Sequence, residues 1–307
     1  MKALVILGPT AAGKSRIALE LSEIYGGEIV CIDSRTVYRR IDVGTAKPSP
    51  SDRGRIPHHM LDLLELNQKC DAAWFAKEAR ESVRDICGRG KLPILVGGAG
   101  FYLRAVLHGL FNLDLYNHKR EEFSESMEGV PTDKLYRRLQ GIDTESCLRI
   151  HRNDRYRIIR ALEIFELSGK TMSEHIRDQE NDEQFKLEAV KIGLNSEREI
   201  IHSRINRRTR NMIERGWIEE VQRLINEGVD PQWPGMQTIG YHEIISYLSG
   251  EIDLPLCIEK ISAATRQYAK RQLTWFRKEE GVEWLDIAED EPLSDIPMIL
   301  DKKGSNW

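Results

Sequence analysis

Three short apolar runs organise the first hundred positions: Ala3 to Leu7 ahead of Gly8, Ile29 to Ile32 ahead of Asp33, and Pro93 to Val96 ahead of Gly97. Runs that are apolar throughout, instead of alternating with polar residues, predict strands buried on both faces, as in a parallel sheet. Between them, Ser15 to Tyr25 and Asp71 to Gly88 carry apolar residues at helical spacing. Strand and helix in alternation predict an α/β fold with a doubly wound parallel sheet. From Leu113 the chain turns polar, charge-rich and helical, and it ends this stretch in the hydrophilic connector Arg177 to Glu183. Residues 113–184 therefore read as an inserted helical subdomain, which splits the core into residues 1–112 and 185–307. Lys186 to Leu194 predicts a strand returning to the sheet, and the remainder reads as helical. The clearest case is Ser262 to Lys278, where Ala269, Leu273 and Phe276 fall at i, i+4 and i+7 as a buried stripe.

Composition changes this picture little. A 40% hydrophobic and 31% charged content fits a globular protein. No apolar run approaches the roughly 20 residues of a membrane span. Five apolar residues between Lys2 and Gly8 are too few for a signal peptide, so the expected compartment is the cytoplasm. The cysteines at 31, 70, 87, 147 and 257 are odd in number and never form a CxxC pair, which predicts reduced packing residues. The adjacent His58 and His59 lack partners at metal-ligand spacing and read as structural.

Charge changes it more. The net charge is −4, yet the stretch from Glu279 to Trp307 holds nine acids against Lys302 and Lys303 and leaves the rest of the chain at +3. Arg149, Arg152, Arg155, Arg157 and Arg160 face only Asp154 within their own stretch, and Arg266, Lys270, Arg271, Arg277 and Lys278 form a second basic concentration. Such runs are solvated faces or nucleic-acid contacts; charge alone does not choose. The acidic tail reads as solvated.

The turn after the first strand is chemically the most specific. Gly8, Pro9, Thr10, Ala11, Ala12, Gly13, Lys14 and Ser15 form a GxxxxGK[ST] loop between a strand and a helix. Its glycines let backbone N–H groups turn inward to hold phosphate oxygens, Lys14 neutralises them, and Ser15 is placed to ligate Mg²⁺. The core is thus a P-loop NTPase-like parallel sheet. Asp33, closing the second strand, has two readings. It could hold Mg²⁺ for ATP chemistry, as in a small-molecule kinase or ATPase, or act as general base toward a nucleophile attacking a phosphate-bearing substrate.

Further words recur along the chain: Asp33-Ser34-Arg35-Thr36-Val37-Tyr38, Gly44-Thr45-Ala46-Lys47-Pro48, Pro57-His58-His59, Val96-Gly97-Gly98, His151-Arg152-Asn153-Asp154, Ile239-Gly240-Tyr241 and Thr265 to Arg277. Together, from the first strand to about Arg277, they resemble the tRNA dimethylallyltransferase (tRNA isopentenyltransferase) family. The resemblance implies transfer of a dimethylallyl group from dimethylallyl diphosphate to N6 of the adenosine 3′ to the anticodon, with a P-loop that holds diphosphate in place of ATP. It implies Asp33 as the base, and Arg204 and Arg208, in an RIxxR element, as a second clamp on the diphosphate. It implies tRNA contacts at Asp33, Ser34, Arg35 and Thr36; at Ala99; at Tyr156, Arg157, Ile158, Ile159 and Arg160; at Gln237, Thr238, Ile239, Gly240, Tyr241 and His242; and at Lys270, Arg271, Gln272, Leu273, Thr274, Trp275, Phe276 and Arg277. The helical insertion becomes a tRNA clamp, Mg²⁺ the cofactor, the tRNA anticodon loop and dimethylallyl diphosphate the partners, and the protein a monomer.

The chain departs from the family at Ala99, where a threonine usually follows the paired glycines. Without that hydroxyl, turnover about 10²-fold lower is expected, the scale of one missing transition-state donor. A P-loop kinase, a transferase acting on free adenine nucleotide and a non-catalytic RNA-binding protein are the rival readings.

Overall fold

The computed structural model describes residues 1–109, 122–123, 125–180, 185, 187–286 and 296. The expected insert segment Leu113 to Glu128, the end of the hydrophilic connector and most of the acidic tail lie largely outside the described residues. Two compact units divide the chain: Met1–Leu107 with Leu187–Trp307, and His108–Lys186.

The first unit is built on one six-stranded sheet of order β3-β2-β4-β1-β5-β6, every pairing parallel. Its strands are β1 (Lys2–Leu7), β2 (Gly27–Ile32), β3 (His58–His59), β4 (Leu92–Gly97), β5 (Glu188–Asn195) and β6 (Val282–Asp286). Both faces are covered, as the uninterrupted apolar runs require. On one, Leu4, Ile6, Ile29, Ile94, Val96, Ile192 and Leu194 pack with Ile17, Ala18 and Leu21 of α1 (Lys14–Tyr25) and with Ile201 and Ile205 of a later helix. Val5, Leu7, Val30, Ile32 and Leu95, the alternate positions, are equally buried. Helix α3 (Ala72–Gly88) follows the short α2 (Pro50–Arg55) and buries Phe75, Ala79, Val83 and Ile86. Asp71 starts α3 by accepting the Ala73 and Trp74 N–H groups, which satisfies two of its orphan donors.

Two strands escaped the periodicity. β3 is only two residues long, and β6 reads Val-Glu-Trp-Leu-Asp at the start of what its charge marked as a solvated tail. β6 forms because β5 offers it a parallel edge, with Lys191 paired to Glu279 and Asn195 donating to Asp286 at 2.7 Å. The sheet thus draws the beginning of the acidic segment in.

At the opposite edge, Glu28 is 5% exposed and accepts from Arg89 and from His59 at 2.8 Å. The Arg89 guanidinium holds its carboxyl down from an ordinary 4.5 to about 2. A depressed carboxyl contributes stability that is complete above its unfolded value and is lost as pH falls toward the folded one. Glu28→Gln should therefore cost about 1–3 kcal/mol at pH 7. That gap should narrow steadily below pH 4.5, as read by urea unfolding at stepped pH; a constant gap would contradict it.

The second unit has its own core. After α4 (Gly100–His108), helices α5 (Thr132–Ile142), α6 (Thr144–Arg149), α7 (Arg155–Ser168) and α8 (Met172–Glu180) enclose Leu135, Leu139, Ile150, Ile158, Ala161 and Leu162. Buried Asp143 joins α6 to α8 by accepting from the N–H and hydroxyl of both Ser146 and Ser173. The arginine-rich stretch is less unbalanced than its sequence indicates. Arg149 pairs with Glu145, Arg152 with Asp133, Arg157 with Asp154 and Arg160 with Glu163, while Arg155 donates to the Val130 and Met127 carbonyls. The pairs of Arg149, Arg152 and Arg157 are largely exposed and contribute about 0–1 kcal/mol each, whereas Glu163 is buried.

Candidate active site

Sheet register puts the site together. Leu7 aligns with Gly97, and Gly97 with Ile32, so the three strands end level and Gly8, Gly98 and Asp33 each lie one residue past the carboxyl edge. Gly8 takes φ 145, and a Cβ there would stand 2.6 Å from the Leu194 carbonyl oxygen, so the chain can turn beside β5 only with glycine. Gly13, at φ 83, is the left-handed N-cap that starts α1 with no side chain over its free N–H groups. Ala11 also sits in the left-handed region, at φ 64.

A cleft of about 480 Å³ opens over this loop, lined by Ala11 to Ile17, by Ala46, by Arg204, Arg207 and Arg208 of α9 (Arg198–Glu214), and by Arg215 just past its end. Arg204 and Arg208, one turn apart, thus both line the cleft over the P-loop. Arg208 donates to Thr10 Oγ1 at 3.1 Å. Lys14 Nζ donates to the Gly8 and Pro9 carbonyls at 3.0 and 2.7 Å. Burial, with Arg208 nearby, brings its ammonium down to about 7. Asp33 Oδ1 accepts the Arg35 N–H at 2.8 Å. Burial raises the Asp33 carboxyl above the ordinary aspartate value, against the pull of Arg35, Lys14 and Arg208. The lining is cationic, and the Asp33 carboxylate lies within electrostatic reach of Lys14 and Arg208.

A second recess of about 340 Å³ is lined by Ser34, Arg35, Tyr38, Lys69, Tyr102 and Gln237, among others. Arg35 is fixed there by donating to the Pro234 carbonyl at 2.9 Å, and Gln237 by an exposed bond to His242 at 3.0 Å.

The expected tRNA-contacting stretches separate by burial. Tyr156, Arg157, Gln237, His242, Lys270, Arg271, Thr274 and Arg277 are exposed, and Ser34, Arg35, Ile159, Arg160, Ile239, Leu273 and Trp275 are half-buried. The side chains of Thr36, Ala99, Ile158, Thr238, Tyr241, Gln272 and Phe276 are buried, and Gly240 lies against Trp217. Within the helical stretches 156–160 and 270–276 the helical period turns these positions inward. Leu273 is likewise only half-buried, so Gln272 and not Leu273 completes the inward stripe of α12 (Leu254–Phe276) with Ala269 and Phe276. Trp275 lies over Gly100 and meets Phe101 edge-on at 6.3 Å.

Two groups had no separate signal in the sequence. Tyr268, one turn before Gln272, is near enough to Asp33 that burial and the carboxylate together push its phenol up to about 12. Glu220, on α10 (Trp217–Asn226), is 6% exposed and accepts the N–H groups of Asp42, Val43 and Gly44 and the Tyr241 hydroxyl, at 2.7 to 3.1 Å. It fixes the Gly44-Thr45-Ala46-Lys47-Pro48 word, whose Ala46 reaches the cleft, against α11 (Tyr241–Leu248). Glu220→Ala should leave four donors without an acceptor and lower stability by about 3 kcal/mol or more in urea unfolding, a loss under about 1 kcal/mol speaking against this role.

Among the described residues no group of three or more His, Cys, Asp and Glu could hold a metal. That suits Mg²⁺ at a phosphate, which takes one or two protein oxygens with the rest from substrate and water. Exposed Ser15 at the start of α1 offers one such oxygen.

The chain is similar to known proteins over most of its length. The chain is 42% identical over 286 residues to tRNA dimethylallyltransferase 1 of Citrifermentans bemidjiense, covering 93% of this chain and 92% of that one. It is 39% identical to the tRNA dimethylallyltransferase of Caldanaerobacter subterraneus, covering 92% and 91%. The crystal structure of a tRNA isopentenylpyrophosphate transferase from Staphylococcus epidermidis superposes with a TM-score of 0.70 at 34% identity, covering 98% of this chain and 99% of that one. A eukaryotic dimethylallyltransferase acting on tRNA superposes at 0.79, with 28% identity and coverage of 99% and 77%. The family model described as IPP transferase matches residues 36–279, and with these relatives it shows that the chain belongs to that family.

Proposed function

We propose that this protein transfers a dimethylallyl group from dimethylallyl diphosphate to N6 of the adenosine 3′-adjacent to the anticodon in tRNA, releasing diphosphate. The observation that carries this reading is a P-loop cleft walled by Arg204 and Arg208, with the Asp33 carboxylate within electrostatic reach of Lys14 and Arg208. In the reaction the allylic C–O bond breaks, its electron pair leaving with diphosphate. The N6–C bond forms, and the N6 proton passes to Asp33. The P-loop amides, Lys14, Arg204 and Arg208 stabilise the charge gathering on the leaving diphosphate. Asp33, whose carboxyl burial raises above the ordinary aspartate value, is suited to take a proton from a weakly basic amine. Bound Mg²⁺, held by Ser15, would add positive charge at the leaving group.

The RNA is read elsewhere. The recess at Ser34, Arg35 and Gln237 offers polar groups to the displaced nucleotide or its neighbours, and flipping a loop base costs less than flipping a paired one. Exposed Lys270, Arg271 and Arg277 suit phosphates. In the second unit Tyr156, 80% exposed beside Arg157, suits stacking. A clamp role for that unit, a monomeric state and a cytoplasmic location complete the reading; no helix among the described residues is long and apolar enough to cross a membrane.

The test is incubation with Mg²⁺, labelled dimethylallyl diphosphate and either unmodified tRNA or AMP. Label in tRNA alone is expected. Label in AMP would shift the acceptor to free nucleotide, and absence of label with ATP-dependent phosphorylation would replace the reading by a kinase.

A further inference from the structure

Gln272 lies in a stretch expected to touch tRNA, yet its side chain points the other way. It is 5% exposed, and its amide joins two turns of the cleft. Oε1 accepts the Thr10 N–H at 2.8 Å, and Nε2 donates to the Gly98 carbonyl at 3.0 Å. Donor and acceptor partners fix the amide's orientation, since the reverse would face N–H with NH₂ and carbonyl with carbonyl. Gly98 is required for the contact, because a Cβ there would collide with Nε2.

Thr10 is consequently held from two sides, its N–H by Gln272 and its Oγ1 by Arg208. The next residue is Ala11, left-handed at φ 64. A non-glycine residue persists there only where its surroundings over-determine it. That conformation bends the chain between Thr10 and Gly13 and so sets the direction of the N–H groups that follow.

We infer that Gln272 is a positioning residue of the phosphate cradle: by fixing Thr10 to the end of β4 it sustains the left-handed Ala11 and thereby the anion-binding shape of the loop. The same helix shows Lys270, Arg271, Thr274 and Arg277 to solvent on its other faces. One element thus carries a cationic outer face and the inner brace of the loop. The inference rests on the reading of the P-loop as a diphosphate site, and its test is independent of prenyl transfer.

The experiment is calorimetric titration of the full chain with inorganic diphosphate in Mg²⁺, comparing wild type, Gln272→Leu, Ala11→Gly and the double variant, with filter binding of unmodified tRNA in parallel. Gln272→Leu should weaken diphosphate about 10-fold, because the loop then carries the Ala11 strain unaided. In the Ala11→Gly background the same change should cost less than about threefold, since glycine takes that φ freely. A general packing defect would not be relieved this way. Binding of tRNA should stay within about twofold, as a buried amide offers RNA nothing. Unchanged diphosphate affinity, an equal loss in both backgrounds, or weakened tRNA binding with diphosphate intact would each overturn the inference. A wild type that binds no diphosphate would instead sink the reading of the site. Should Gln272→Leu not fold, Gln272→Asn, too short to span both turns, makes the same comparison.

Discussion

Asp33→Asn should lower kcat about 10²–10⁴-fold, the range lost with a general base. Diphosphate affinity should be unchanged or slightly tighter, because the substitution removes a negative charge beside an anion. Asparagine keeps the side chain's size and an oxygen for the Arg35 N–H, so the loop from Ser34 to Tyr38 stays in place. What goes is the ability to accept a proton. The wild-type rate should also fall on the acid side as Asp33 is protonated, at a pH above the ordinary aspartate value because burial outweighs its cationic neighbours. The variant should lack that limb. Single-turnover rates with labelled dimethylallyl diphosphate and tRNA across pH 5 to 8 would show it, and a variant with near-wild-type kcat would remove Asp33 from the reaction.

The core and the heart of the cleft were readable because each leaves a local mark. Three wholly apolar runs, each four to five residues long and closed by a turn, mark strands covered on both sides, and in a parallel sheet alternating with helices those turns gather at one edge. Gly8 to Ser15 and Asp33 were therefore visible together. Arg204 and Arg208 were visible as a pair one turn apart, but not their direction; packing Ile201 and Ile205 into the core turns them to the cleft. The partnerships of Glu220 with Gly44 and of Gln272 with Thr10 join residues 176 and 262 positions apart, and no local pattern encodes such a pair. β6 was hidden for a different reason. Its strand is specified by the free edge of β5 more than by its own residues, and its charges marked it as solvated. Motif words likewise cover a helix all round, whereas a partner meets one face; hence Gln272 and Phe276 go inward while Arg271 and Arg277 stay out.

Lys14→Ala should have the other large effect, a fall in kcat/KM of about 10³-fold, because the lysine acts twice on the same loop. Its Nζ spans the Gly8 and Pro9 carbonyls, bracing the turn from within. It is also the one side-chain cation belonging to the turn from Gly8 to Ser15, so its loss weakens ground-state binding and leaving-group stabilisation together. Both KM for dimethylallyl diphosphate and kcat should therefore move, unlike in Asp33→Asn; a change in KM alone would confine Lys14 to binding. Protonation gives a sharper sign. Burial and Arg208 hold the Lys14 ammonium near 7, and an arriving anion raises it by favouring the charged form. At pH 8 diphosphate binding should then take up close to one proton in wild type and distinctly less in Lys14→Ala, and wild-type affinity should fall as pH rises above about 7. Calorimetry in two buffers of different ionisation enthalpy measures the uptake directly, and equal uptake by both proteins would mean that some other group receives the proton.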